Sequence, residues 1–351
     1  MSTPAGAATE GLRAWAQPGP PAGWDELLAM DSSSSPSHRS GVAEAFAAVL
    51  PGHAVEYLVV EDSGGLAGGL VMCVSRLAGV EWLHAMPLLL SGAPVARPSS
   101  RGAVDAAVAE ALAERASRPR TAGGEWVCYR PGAPIADAHV ERLAGETRRH
   151  RAAVIDLQRG GEPRWTRDKR ERYELRRAER AGLSYAEDPA ALEACYLLHV
   201  AQSRRWPGHR PPPLALLRRL LADPGPGRLP LARLFTVRGA RRLLGGLLVL
   251  DSPHETLSWW SGAHPRARDV AAFRALVIWV IEWARDQGRA RFNLGGSVGL
   301  AGVASFKRSL GAAELEYPVR WLAPARGSAR ARVLAALQRR VRARRLGGVE
   351  A

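Results

Sequence analysis

Lys169 and Lys307 are the only two lysines in a chain of 351 residues whose Lys and Arg together number 49. Every other cation is arginine. A chain that defaults to arginine yet keeps lysine at two positions points to what an ammonium alone can do. It is compact, can direct its charge at one oxygen and can lose a proton, whereas guanidinium is a planar, always-charged fork. Lys307 follows Phe306, and shortly upstream stands Phe292-Asn293-Leu294-Gly295-Gly296. A glycine pair lets a substrate approach the backbone closely. An ammonium beside it suits the tetrahedral oxyanion formed when an amine attacks an ester or thioester, where one fixed donor is worth about 10²–10³ in rate. The alternative for Lys307 is a solvated helix lysine. Asn293, at a strand end, either orients substrate or hydrogen-bonds its own turn.

Other candidates bind rather than react. Arg204 and Arg205 close a helix; they either clamp a phosphate or carboxylate in bidentate fashion or face the helix dipole. Trp259 and Trp260 are neighbours on a strand, so alternation sends one ring to each face of the sheet. One belongs to the core and the other is open to ligand stacking. Arg266 and Arg268 precede a long helix and can hold an anion by side chain. Asp251, His254, Glu255 and His264 fall near strand ends and read as loop residues, so no general base is assigned. Cys73, Cys128 and Cys195 are scattered without metal-ligand spacing, which excludes a zinc site and a disulfide framework. No metal is expected.

The elements that must position these residues come in two similar sets. In the first half, strands are expected near 55–60, 66–74 and 80–86, then a helix over 104–115 and a strand over 125–129, after a short helix at 24–30 and a serine-rich loop at 32–35. In the second half, strands at 231–237, 243–250 and 256–261 precede a helix over 269–287 stopped by Gly288, and a strand at 289–294. Leu66-Ala67-Gly68-Gly69-Leu70-Val71 aligns with Leu243-Leu244-Gly245-Gly246-Leu247-Leu248. Gly68 and Gly245 are 177 positions apart, as are Trp82 and Trp259. The shared order and spacing mark an internal duplication. Between the halves lie a basic hinge at 148–151, a strand at 152–157, a charged helix over 166–180 closed by Gly182, a strand at 183–186, a helix from 189 to about 204, a Pro-rich loop at 207–213 and a short helix at 214–222.

The order β-α-α-β-β-β-α-β, then a helix and a last strand, resembles the GNAT acyltransferase fold. Two such units in one chain resemble the Fem family of aminoacyl transferases and their acetyltransferase-like relatives. Arg176-Arg177-Ala178-Glu179-Arg180-Ala181-Gly182 is similar to the basic helix opening that family's second domain. Phe292 to Gly296 resembles its strand-plus-diglycine motif, and Gly299-Leu300, Phe306-Lys307 and Gly311 its Phe-Lys segment. The resemblance implies an α+β chain of two tandem GNAT-like domains, each a mixed twisted sheet flanked by helices. It implies transfer of an acyl or aminoacyl group from acyl-CoA or aminoacyl-tRNA to an amine acceptor, with no permanently bound cofactor. It implies that Lys307 stabilises the transferring group and that Phe306, Gly295 and Gly296 stand near it. The pyrophosphate loop of CoA-using GNAT domains, Q/R-x-x-G-x-G/A, is expected before the long helix. The segment there is His264-Pro265-Arg266-Ala267-Arg268-Asp269-Val270-Ala271, with no glycine between Pro265 and Gly288. On this reading the loop is missing, and tRNA fits better as donor. The matching stretch of the first half, 90–102, is loose and Pro-rich, so that half reads as degenerate.

Net charge is +15, which favours polyanionic partners. Residues 325–351 hold eight arginines and one acid, with apolar residues among them at roughly helical spacing. Such a tail can lie on anionic lipid, contact RNA phosphates or remain solvated. No apolar run approaches the roughly 20 residues of a membrane span, and no signal peptide is read, so a cytoplasmic protein, peripheral at most on the inner membrane surface, is expected. The expected organisation is a disordered stretch at 1–20, a first domain at 21–150, a second with the active site at 151–323 and the basic tail at 324–351. The alternative to an enzyme is a non-catalytic GNAT scaffold binding RNA or membrane through its basic surfaces. No helix-turn-helix or zinc motif supports a DNA-binding protein.

Overall fold

The computed structural model describes residues 11–324 apart from 78, 160–162, 206–209, 223–224, 226–227, 241 and 298. The basic tail and Trp206 lie outside the described residues. The chain divides into two compact units, with one boundary between His150 and Arg151 and a second between Leu315 and Glu316, after which the chain rejoins the first unit.

The first unit carries β1 (Arg13–Gln17), α1 (Trp24–Met30), α2 (Ser40–Val49), β2 (His53–Asp62), β3 (Gly65–Leu77), β4 (Val80–His84), the short β5 (Val95–Ala96), α3 (Arg101–Ser117), β6 (Thr121–Val127) and α4 (Asp137–Glu141). β7 (Gly145–Asp156) then runs across the boundary. β1 to β4 are antiparallel neighbours in sequence order, and β4 pairs parallel with β6. One face buries Leu58, Leu70, Met72 and Trp126 against Val104, Val108 and Leu112 of α3. The other face meets α1 and α2, where Trp24 packs edge-on to Tyr57 at 5.2 Å.

The second unit continues with α5 (Arg164–Arg167), α6 (Lys169–Arg180), β8 (Ser184–Glu187), α7 (Leu192–Ser203), α8 (Leu214–Leu220), β9 (Ala232–Gly239), β10 (Arg242–Asp251), β11 (Glu255–Ala263), α9 (Ala272–Asp286), β12 (Arg291–Asn293) and α10 (Ala301–Ser309). Its sheet runs β7-β12-β11-β10-β9-β8, with β11 and β12 parallel and the other pairs antiparallel. Leu247 and Val249 of β10 face α9, whose Leu276, Val280 and Ile281 fill the core. α9 forms because apolar residues recur at helical spacing from Ala272 to Ala284, and it stops at Gly288, which takes φ +73°.

Both units therefore have the order read from sequence, and β3, β4, α3 and β6 of the first match β10, β11, α9 and β12 of the second. The repeated glycines have a repeated reason. A Cβ on Gly69 would sit 2.4 Å from the Leu58 carbonyl oxygen and 3.2 Å from the Trp24 ring of α1. One on Gly246 would sit 2.3 Å from Cys195 Sγ of α7. In each unit the strand gives up a side chain so that a helix can lie on the sheet.

Repeat and compact unit do not coincide at their last strands. The end of β7, the last strand of the first repeat, pairs with β12 in the second unit, Ile155 opposite Phe292. The last strand among the described residues, β13 (Ala313–Leu322), ends in the first unit, where Val319 to Leu322 pair with β6. Three expectations need correction. Residues 11–20 are not featureless, because β1 pairs along β2 from Arg13 to Gln17. The basic stretch at 148–151 is no hinge but part of β7, whose exposed arginines find Glu146, Asp137 and Glu314. The charged helix is broken in two at Asp168, whose carboxylate caps α6 by accepting from the N–H groups of Arg170 and Glu171 at 2.8 and 3.3 Å.

Candidate functional site

The parallel strands β11 and β12 pair over three residues only, from Glu255↔Arg291 to Leu257↔Asn293. Beyond that point they part. β11 stays with β10 through Ala263. The chain after β12 stays with β7, since Leu294 N–H donates to the Ala153 carbonyl at 2.8 Å and Ala153 N–H to the Gly295 carbonyl at 3.0 Å. A crevice thus opens at the carboxyl ends of two parallel strands, where open α/β sheets bind ligands. A β-bulge at Trp259 adds to the divergence, with Leu248 opposite Trp260 and Val249 opposite Ser258.

The diglycine segment borders this crevice. Gly295 takes φ +70°, a conformation that disfavours side chains, and Gly296 passes close to the Arg151 carbonyl. Lys307, on α10, is 7% exposed and donates from Nζ to the carbonyls of Gly295 and Gly296 at 2.9 and 2.7 Å. Two of its three N–H bonds are thereby fixed, and the ammonium is anchored where the strands separate. Burial pulls its pKa down from the ordinary lysine value to about 8. The structure brings Lys307, Gly295 and Gly296 together, as their types suggested, and excludes the solvated-lysine alternative.

Asn293 is placed otherwise. Its side-chain NH₂ donates to Glu255 at 3.2 Å and its oxygen accepts the Gly295 N–H at 2.8 Å. It is buried, with both ends of its amide engaged, so it shapes the glycine turn rather than offering a group to substrate. Phe306 also turns inward. Its ring packs on the core, with the Arg274 guanidinium 4.9 Å above it. Arg274 in turn ion-pairs with buried Glu171 of α6 and donates to Ser309 at 2.9 Å. Trp260 is the core member of the tryptophan pair, stacked on Tyr196 and tilted against His199 of α7, while Trp259 is half-buried. Arg204 and Arg205 lie exposed at the end of α7, and no contact among the described residues ties them to Lys307.

The acids and histidines read as loop residues divide. Asp251 and Glu255 are strand residues, wholly buried and ion-paired, Asp251 with Arg289 at 2.9 Å and Glu255 with Arg291 at 3.4 Å. Both stand at the end of the strands away from the crevice, so neither serves as base there. His264 accepts the Arg266 N–H at 3.1 Å.

That bond opens the segment before α9, where the sequence reading is corrected. Residues Pro265–Arg268 form a 3₁₀ turn, and Ala271 then takes φ +52°, ψ +23° at the head of α9. Counted from Arg266, Ala271 occupies the last position of Q/R-x-x-G-x-G/A, so only the middle glycine is replaced, by Asp269. A left-handed alanine costs roughly 1–2 kcal/mol, so the surrounding contacts hold the turn. The N–H groups of Val270, Ala272, Phe273 and Arg274 have no backbone partner among the described residues. Arg266 and Arg268 are exposed and without an ion pair among them. Orphan N–H groups at the head of a helix, with cations beside them, make an anion site. The counting signal was present in the sequence; the absence of glycine concealed it.

The same place in the first unit is closed. Arg97, before α3, ion-pairs with Asp62. Arg101, its first residue, bonds Asp31 at 2.9 Å and Ser33 at 2.7 Å. Burial pushes the Asp31 carboxyl up, but hydrogen bonds from Ser33, Ala96 and Arg101 outweigh it and hold the pKa below its ordinary value. The arginines on either side of this helix start are thus engaged by the chain's own carboxylates.

Residues 166–308 match the family described as acetyltransferase (GNAT) domain. The structure of FemX aligns with a TM-score of 0.63 at 12% identity, covering 84% of this chain and 94% of that one. The C-terminal domain of a putative lysylphosphatidylglycerol synthetase from Agrobacterium fabrum aligns at 0.54 and 12% identity, covering 90% and 93%. A conserved protein of unknown function from Bacteroides thetaiotaomicron aligns at 0.51 and 12%, covering 85% and 96%. At these identities the likeness is one of fold. No curated protein matches.

The matched segment is thus similar to a GNAT acetyltransferase domain, and the chain as a whole has the GNAT fold. The chain has the fold of FemX, as the Arg176–Gly182, diglycine and Phe-Lys segments led us to expect. No helix among the described residues is long and apolar enough to cross a membrane.

Proposed function

We propose that this chain transfers an acyl group from acyl-CoA to an amine, using one active site in its second unit. The single observation that carries the donor assignment is the turn before α9. There Ala271 takes a left-handed conformation, the N–H groups that open α9 have no backbone partner among the described residues, and two exposed arginines precede them. The first unit, whose corresponding arginines Arg97 and Arg101 are paired with Asp62 and Asp31, is the degenerate copy and leaves one donor site per chain.

In this reading the acyl thioester lies in the crevice between β11 and β12. The acceptor amine attacks the thioester carbonyl, and the oxyanion that forms is met by the remaining N–H of Lys307. The ammonium keeps its proton and supplies charge. The C–S bond then breaks, CoA leaves as the thiolate and takes a proton from solvent, and the attacking nitrogen gives its proton to solvent. Glu255 and Asn293 act by fixing Gly295, while Arg274 and Phe306 fix α10. The same chemistry could begin from the ester of an aminoacyl-tRNA, the donor favoured by net charge alone.

The test is release of free CoA thiol from acetyl-CoA in the presence of a panel of primary amines. Amine-dependent thiol release is expected. Aminoacyl transfer from charged tRNA with no release from acyl-CoA would assign the donor to tRNA, and inertness toward both would leave a binding scaffold.

A further inference from the structure

The basic helix α6 contributes Arg177 to the turn just described. Its Nε donates to the Asp269 carbonyl at 2.9 Å and its Nη2 to the Arg268 carbonyl, while Nη1 reaches Glu174 on its own helix at 3.1 Å. The fork therefore grips two successive carbonyls of the turn and is itself braced by a carboxylate. In a trans peptide the carbonyl and the following N–H point opposite ways. Holding the Asp269 carbonyl toward α6 aims the Val270 N–H away from it. That group has no backbone partner among the described residues, and neither do the next free N–H groups, those of Ala272 to Arg274.

We infer that Arg177 is a positioning residue for the donor: it orients the backbone N–H groups that receive the CoA pyrophosphate and stabilises the left-handed Ala271 that a glycine would otherwise supply. This rests on the donor reading given above. A guanidinium suits the task because two carbonyls side by side match its fixed fork, which a lysine cannot reproduce. The arrangement also gives α6 a reason to be basic that involves no polyanion. At Arg177 the charge is spent on the protein's own backbone, and Arg266 and Arg268 remain for the ligand.

Arg177→Ala and Arg177→Lys test this with two donors, acetyl-CoA and acetyl-pantetheine, which carries the same thioester without the pyrophosphate. The expected result is a rise in KM for acetyl-CoA of roughly 10- to 100-fold, the worth of hydrogen bonds to a charged group. kcat should be little changed, and kcat/KM for acetyl-pantetheine should match the wild type. Arg177→Lys, which keeps charge and helix, is expected to recover less than half of the lost affinity on a logarithmic scale. An equal loss with both donors would reduce Arg177 to a general structural role and overturn the inference, as would no loss with either. If the wild-type enzyme itself fails to prefer acetyl-CoA over acetyl-pantetheine, the donor reading falls and the role of Arg177 falls with it. The wild-type comparison thus separates the two failures.

Discussion

Replacing Lys307 by Met lowers kcat/KM by about 10²–10³, the worth of one oxyanion donor, and leaves the chain folded. The expectation follows from where the ammonium sits. It is buried, held by two carbonyls at the point where the strands part, with one N–H left over. Lys307→Arg should not restore activity, because the planar fork needs more room than a site built around a single nitrogen. The pH profile gives the sign. The pKa lies near 8 rather than 10.5, so the charged form that meets the oxyanion is lost as pH rises through about 8. The lysine-dependent part of the rate, taken as wild type minus Lys307→Met, should fall there. Stability moves the other way. A lysine whose pKa is depressed on folding costs stability at pH values below its folded pKa, and that cost is relieved between about 8 and 10.5. A rate difference that instead grows above pH 8 would make the neutral amine a base.

Replacing Asp251 by Ala destabilises the second unit by about 3 kcal/mol, the lower end of what breaking a buried pair costs. Asp251 is fully buried, takes both arms of Arg289 at 3.0 and 2.9 Å and accepts from Thr256 at 3.0 Å. Its loss leaves a largely buried guanidinium without a counter-charge. The measurement is a urea unfolding curve, read as a lower midpoint at unchanged slope. Asp251→Asn, which keeps the shape and one acceptor, should lose less. Below the new midpoint both variants should turn over as the wild type does, because Asp251 stands at the far end of the strands from Lys307. Loss of turnover in folded Asp251→Asn would instead make this carboxylate a participant in the chemistry.

Much of this was legible in the residues. The element order, the duplication and the joining of Lys307 to the glycine pair follow from periodicity, spacing and the rarity of lysine. What stayed hidden has physical reasons. Asn293 could not be told from a substrate-orienting residue until Glu255, 38 positions away, was seen to hold its amide. Phe306 looked like a ligand contact because its partner, Arg274, sits on another helix. The turn before α9 escaped notice because glycine is the usual residue for a positive φ, yet here Ala271 takes it, close to the Asp269 carbonyl that Arg177 holds from 92 residues earlier. The exchange of last strands between repeats was invisible for a related reason: edge pairing leaves no local mark on β7 or β13.

One CoA site per chain is expected, at the head of α9. The direct measurement is calorimetric titration of the intact chain with acetyl-CoA, repeated on Arg266→Glu/Arg268→Glu. Saturable binding of a single equivalent is expected, weakened about tenfold or more by the charge reversal. Binding of two equivalents, or affinity indifferent to the reversal, would contradict the placement of the site, and absence of binding would contradict the donor.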